Sequence, residues 1–151
     1  MAFKRKADSL SLSPCLRYLG SPLTTLPSLG TDISKKGFLI DKKARAALRK
    51  VNLDYGHGTG HGVGFFLNVH EGPQSISKYN KVKIKEGMIL SNEPGYYREN
   101  KFGIRIENLV YVKKIHNKLC FENLTLAPID KDLIDHNQLT KDEKDYLFKY
   151  N

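Results

Sequence analysis

The stretch Leu53–Pro73, LDYGHGTGHGVGFFLNVHEGP, holds three of the five histidines and six of the twelve glycines of the 151-residue chain. His57 and His61 stand four apart, the spacing that puts two rings on one face of a helix. Gly56, Gly58, Gly60, Gly62 and Gly64 surround them, and each glycine costs a helix interior about 1 kcal/mol relative to alanine. The segment is therefore not a helical zinc site of the HExxH kind. It reads as extended backbone broken by tight turns, where glycine permits positive φ or the close approach of another chain. The run Phe65–His70 predicts a strand that returns His70 toward the first pair of histidines.

Two later segments answer this one. Glu93 ends the strand-like run Met88–Asn92, which a Pro94–Gly95 turn signal stops. Glu107 lies in GIRIENLVYV (103–112), where alternation sets Ile104 and Ile106 on one face and Arg105 and Glu107 on the other. Leu109 and Tyr111 continue the Glu107 face, so that face is expected to be covered. A covered carboxylate requires a cation, either a metal ion or a guanidinium. Arg105, on the same face, is the structural candidate; an ion held by His61, Glu93 and Glu107 is the functional one.

The blocks YGHGTGHGVGFFLNVHEGP, GMILSNEPGYY and FGIRIENLVYV closely resemble aminopeptidase P, the Xaa-Pro aminopeptidases of the pita-bread metallopeptidase family. The resemblance implies an α+β fold, the second half of a pita-bread domain with a curved antiparallel sheet and flanking helices. It implies two metal ions, usually manganese, held by two aspartates, one histidine and two glutamates. Carried over by motif, His61 and Glu93 become metal ligands and Glu107 the carboxylate shared by both metals. His57 and His70 become the non-ligand histidines that line the substrate site and act in catalysis. Arg105 becomes the residue that orients the carboxylates from behind the ligands. Two close metals can share a hydroxide, lower its pKa and polarise the peptide carbonyl. The substrates implied are peptides with proline at the second position, whose ring has no amide hydrogen to recognise.

The family's two aspartates belong to an earlier part of the catalytic domain that this sequence does not contain. Residues 36–151 therefore read as a truncated catalytic domain, and residues 1–31, rich in Ser, Leu and Pro, as an unmatched leader. Three ligands on one wall are expected to hold one ion weakly, with no cleavage unless a separately encoded first half completes the site. A homodimer is the other way to cover the face left open around Phe65 and Ile104. A non-catalytic peptide- or protein-binding module, or the remnant of a decayed gene, are the competing readings.

The remaining sequence is consistent with one modest domain. A net charge of +9 is spread over lysines without interleaved aromatics, which argues for solvated faces and against nucleic acid. Cys15 and Cys120 sit in no metal spacing, and reduced thiols suit a cytoplasmic protein. No run is long enough to cross a membrane. Leu39, Ile40, Ala44, Ala47, Leu48 and Val51 have helical spacing, with Asp41 expected as a cap or first-turn acid. Residues 75–86 read as a polar connection, and 109–115 with 119–126 as a hairpin turning at His116–Asn117–Lys118. Thr140 with Glu143 forms a capping-box signature ahead of the apolar Tyr146, Leu147 and Tyr150.

Overall fold

The computed structural model describes residues 36–151 apart from 67, 116, 131 and 133. The reading of residues 1–31 as a leader, and the fate of Cys15, lie outside these. Helix α1, Gly37–Arg49, buries Ile40, Ala44 and Leu48 on one stripe. Leu39 and Val51 are exposed at its flanks. Asp41 is not a cap: Lys36 holds the cap position without a side-chain bond, and no acid lies in the first turn. Asp41 instead points into the interior beside Arg45.

The end of α1 is set by Asn52, whose φ of 58° is left-handed. Its N–H reaches the Arg49 carbonyl and the Leu53 N–H reaches that of Leu48, at 3.1 and 3.0 Å. This is a Schellman closure, and the Leu53 contact with Leu48 is the apolar contact that accompanies it. The chain then enters the glycine-rich segment with its direction fixed.

Strand β1, Gly60–His61, pairs antiparallel with β2, Ser75–Ile76. A bridge between Gly62 and Leu90 ties β1 to β3, Ile89–Asn92. A Cβ on Gly60 would stand 1.9 Å from the Ser91 carbonyl oxygen, so the approach of β1 to β3 admits glycine alone. Strands β4, Gly95–Arg98, and β5, Phe102–Arg105, form a hairpin. Strand β6, Asn108–Ile115, runs between β3 and β7, Lys118–Asn123. Its turn to β7 carries Asn117 at φ 63°, and His116 itself lies outside the described residues. The expected sheet is thus present as three antiparallel pieces.

Two expected strands are corrected. The described residues of 65–70 form no strand: the Gly64 N–H bonds the Asn68 carbonyl at 2.8 Å, and Phe66 takes φ 55°. The long strand expected over 103–112 is interrupted at Ile106–Glu107.

The main core joins Ile40 of α1 to Ile76, Ile84, Leu90, Val110, Val112, Leu119 and Phe121. Ile76 and Ile84 come from the connection read as polar, which therefore supplies core. Burying each such side chain contributes roughly 1.5–3 kcal/mol. A second cluster sets Leu48 and Tyr55 against Leu53, Tyr96, Ile104 and Ile106, so the Ile104 side of the hairpin is packed within the chain. Phe65 and Phe66 are 87% and 83% exposed, so the open face expected there is real. Helix α2, Lys141–Tyr150, begins with the expected capping box: the Glu143 N–H bonds Thr140 and the Glu143 carboxylate takes the Thr140 N–H. The Tyr150 hydroxyl donates to Asn108 Oδ1 at 2.7 Å, fastening α2 beside Glu107.

Candidate metal centre

The pairing of β3 with β6 and of β4 with β5 follows one continuous register. Asn92 is opposite Asn108 and Gly95 opposite Arg105, so the intervening Glu93 faces Glu107 and Pro94 faces Ile106. Pro94 has no N–H to give, and the ladder keeps one bond there, from the Ile106 N–H to the Pro94 carbonyl at 3.3 Å. That bond makes Pro94–Ile106 a hydrogen-bonded pair. Glu93–Glu107 is then of the non-bonded kind, whose side chains approach most closely. Two like charges directly opposite destabilise a sheet unless a cation stands between them.

Arg105 supplies a cation. Its Nε is 3.1 Å from Glu107 Oε2 and its Nη1 3.7 Å from Glu93 Oε2. The guanidinium and Glu107 are each about half exposed, whereas the Glu93 side chain is only 13% exposed. The cover expected over Glu107 is therefore only partial, and Leu109 on the same side is exposed too.

His61 meets Glu93 from β1. Its Nε2 is 3.4 Å from Glu93 Oε1, and its Nδ1 is 3.0 Å from the Gly62 carbonyl oxygen. A carbonyl only accepts, so Nδ1 carries a proton and Nε2 is the nitrogen turned toward the carboxylate. A ring nitrogen facing a carboxylate oxygen calls for a proton or a metal ion between them. Ser91 links the two residues: its hydroxyl accepts the backbone N–H of His61 and donates to Glu93 Oε1, each at 2.9 Å. The His70 ring lies 4.0 Å from that of His61, centre to centre, brought there by the loop.

His57 stands apart from this group. Its Nδ1 is 2.7 Å from the Gly58 carbonyl, and its Nε2 is 2.7 Å from the Tyr97 hydroxyl. The loop that carries His57 is gripped from α1. Buried Arg45 bonds both Asp41 oxygens through Nε, at 3.0 and 2.9 Å, and bonds Asp54 and the Tyr55 carbonyl through Nη1. Its Nη2 donates to the His57 carbonyl. Thr59 donates to Asp41 at 2.7 Å and so accepts from the Tyr55 hydroxyl, while its carbonyl takes the Glu93 N–H at 2.7 Å. One buried cluster thus reaches both His57 and Glu93.

Burial drives the Tyr55 hydroxyl up to about 12, against the opposing effects of Thr59 and Arg45, so it remains a donor. Burial disfavours the Arg45 charge, but the bonds to Asp41 and Asp54 outweigh it and raise its pKa. At Asp54 burial acts upward; Arg45, the Tyr55 N–H and Arg49 overcome it and hold the carboxyl below its usual range.

Of the expected site residues, His61, Glu93 and His70 come together. Glu107 joins through Arg105, and His57 does not join. Among the described residues no three His, Cys, Asp or Glu side chains stand close enough to hold an ion. The donors present, one imidazole and two facing carboxylates, fit part of the shell of a hard, oxygen-preferring divalent ion. Sequence reasoning missed Ser91, Tyr97 and the Asp41–Arg45 pair. The signal for the pair was there: two charges four apart inside the apolar stripe of a helix.

Residues 34–114 match the model of metallopeptidase family M24, and residues 117–151 that of the C-terminal region of the same peptidases. A probable Xaa-Pro aminopeptidase P from Coprinopsis cinerea is 50% identical over 125 residues, covering 76% of this chain and 20% of that protein. One from Fusarium vanettenii is 51% identical over 126 residues with the same coverages. The chain thus spans about a fifth of the length of these curated relatives. Among solved structures, the X-prolyl aminopeptidase of Caenorhabditis elegans, described as a cytosolic enzyme with a di-nuclear active site, superposes with a TM-score of 0.79. It shares 35% identity over 89% of this chain and 23% of its own. The X-Pro aminopeptidase of Thermotoga maritima gives 0.56 at 36% identity, over 75% and 32%. The chain belongs to metallopeptidase family M24 and has the pita-bread α+β fold of its X-Pro aminopeptidases.

Proposed function

We propose that this chain supplies one wall of a two-metal centre that hydrolyses the bond before proline in peptides bearing proline at the second position. The observation that supports it is the facing of Glu93 and Glu107 across one broken ladder, with His61 Nε2 turned onto Glu93. In this reading His61 and Glu93 are ligands and Glu107 bridges the metals. Arg105 orients both carboxylates, and His57 and His70 face the substrate. The oxygen-rich donor set favours manganese. The bound ions would supply an activated hydroxide and polarise the scissile carbonyl. The residues of the chain hold and orient: Ser91 ties the His61 backbone to the Glu93 carboxylate, and the Tyr97 hydroxyl holds the His57 ring by a hydrogen bond to Nε2.

One imidazole and two carboxylates bind a single divalent ion at reduced affinity. By itself the chain is expected to bind manganese weakly and to leave Xaa-Pro peptides uncleaved, until another polypeptide or a second copy brings further carboxylates. A cytoplasmic location goes with this reading, since reduced thiols suit it. Assaying the purified chain with manganese on an Xaa-Pro peptide tests it. Robust turnover by the chain alone would overturn the incomplete-site argument, and failure of Glu93→Gln to weaken manganese binding would overturn the ligand assignment. A non-catalytic peptide-binding role is the second reading, favoured by one observation: Arg105 already neutralises the facing acids without a metal.

A further inference from the structure

Helix α2 turns one covered stripe inward, Glu143, Tyr146, Leu147 and Tyr150, while its other residues are exposed. Spacing of three and four puts these side chains on one face. Three of them are apolar or aromatic, and the fourth is a carboxylate only 6% exposed. The stripe forms one wall of a cavity of about 310 Å³, to which Ile129 and Leu139 add apolar surface.

The capping box uses only half of the Glu143 carboxylate. Its Oε2 takes both the Thr140 N–H and the Thr140 hydroxyl, each at 2.7 Å, while Oε1 takes no hydrogen bond among the described residues. Nor does any lysine, arginine or histidine among them form an ion pair with it. The helix N-terminus offsets part of the charge, but a carboxylate enclosed beside apolar side chains calls for a cation. The other acids on the cavity wall make no such demand: Glu107 is paired with Arg105, and Asp130 is exposed and takes the Asp132 N–H.

We propose that the cavity binds a small organic cation, a primary amine on an apolar body. The ammonium donates to Glu143 Oε1, and the body lies among Ile129, Leu139 and Leu147. The stacked rings of Tyr146 and Tyr150, 5.7 Å apart, stand one and two turns further along the same stripe, and aromatic faces also favour a cation. The volume is at the small end of the range for ligand pockets, about 300–1,000 Å³, so one ring with a short amine tail suits it. Neither His61, Glu93 nor His70 is on the wall, and the binding requires no metal, so it stands or falls separately from the metal-centre reading.

The test uses the unmodified chain in EDTA with phenylbutylamine as the probe, and phenylbutanol and phenylbutyrate as its neutral and anionic counterparts. Backbone amide chemical shifts read both binding and location. The expected result is saturable binding with shifts concentrated at Glu143, Tyr146, Leu147 and Tyr150, and an amine held about tenfold or more tighter than the alcohol. The chain carries +9 overall, so general attraction favours the butyrate, and a preference for the amine reports the carboxylate at hand. Glu143→Gln keeps an acceptor for the capping box and removes the charge, so it should hold the amine no better than the alcohol. Equal affinity of amine and alcohol for the unmodified chain would overturn the proposal whether or not the variant folds. So would an amine preference that survives Glu143→Gln, shifts centred elsewhere, or no binding at millimolar probe.

Discussion

Replacing Arg45 with methionine removes the cation from a buried cluster while nearly preserving volume. Arg45 is 5% and Asp41 2% exposed, so the variant leaves an uncompensated carboxylate inside, helped only by the Thr59 hydroxyl. The carbonyls of Tyr55 and His57 lose their donors as well. Asp54 keeps Arg49 and adds little. Breaking one partner of a buried pair costs about 3–5 kcal/mol, against a total stability of about 5–15 kcal/mol for a domain. With a urea m-value of about 2 kcal/mol per molar, a 4 kcal/mol loss lowers the unfolding midpoint by about 2 M. The chain has eight tyrosines and no tryptophan, so tyrosine fluorescence and circular dichroism follow the transition. The decisive comparison is the double variant Asp41→Leu with Arg45→Met, which removes the stranded carboxylate too. It should be the more stable of the two by about 2 kcal/mol, because a well-packed apolar pair replaces a buried ion pair at little cost. If Arg45→Met costs under about 1 kcal/mol, or the double is no better than the single, the cluster is not what holds the His57 loop.

Other perturbations read other parts of the molecule. Arg105→Gln leaves two carboxylates facing without a cation, so the melting temperature in EDTA should fall while the stabilisation gained from manganese should grow; an unchanged manganese response would mean the guanidinium and the ion do not share a place. Asp54 has its folded pKa depressed, so its stabilisation is complete above the unfolded value of about 3.9 and is lost as pH falls through the folded one. Asp54→Asn should therefore flatten the loss of stability below about pH 4, and parallel acid limbs in both proteins would count against the assignment. Thr140→Ala removes the cap of α2 and should cost about 1 kcal/mol, seen as earlier proteolytic cleavage within 141–150; cleavage at an unchanged rate would refute it.

What the sequence made legible was local. Glycine density excluded a helix around His57 and His61, a turn signal ended the strand before Glu93, alternation set Arg105 and Glu107 on one face, and the capping box set the start of α2. Misreadings came where distant contacts decide. Asp41 reads from the sequence as a cap or first-turn acid, yet the helix begins at Gly37 and its partners are Arg45 and, eighteen residues on, Thr59. Residues 65–70 have the composition of a strand, but the bond from Gly64 to Asn68 curls them into a loop that leaves both phenylalanines outside. The lysine-rich 75–86 connection hid Ile76 and Ile84, single apolar residues without period that the core nevertheless fully encloses.

The break at Pro94 joins fold and site. A continuous ladder would hold Glu93 and Glu107 flat in a regular sheet, with their repulsion unrelieved except through solvent. Proline at position 94 removes one donor from the hairpin and is itself fully buried, so the interruption lies next to the facing acids. There the Glu93 N–H turns to Thr59 and its carboxylate to Ser91 and His61, so contacts from β1 and its approach loop supply what the sheet gives up. Glu93 is thereby held from two directions, by β1 and its approach loop on one side and by Arg105 on the other, and Glu107 by Arg105 alone. Facing carboxylates paired in this way do not need a metal in order to be folded.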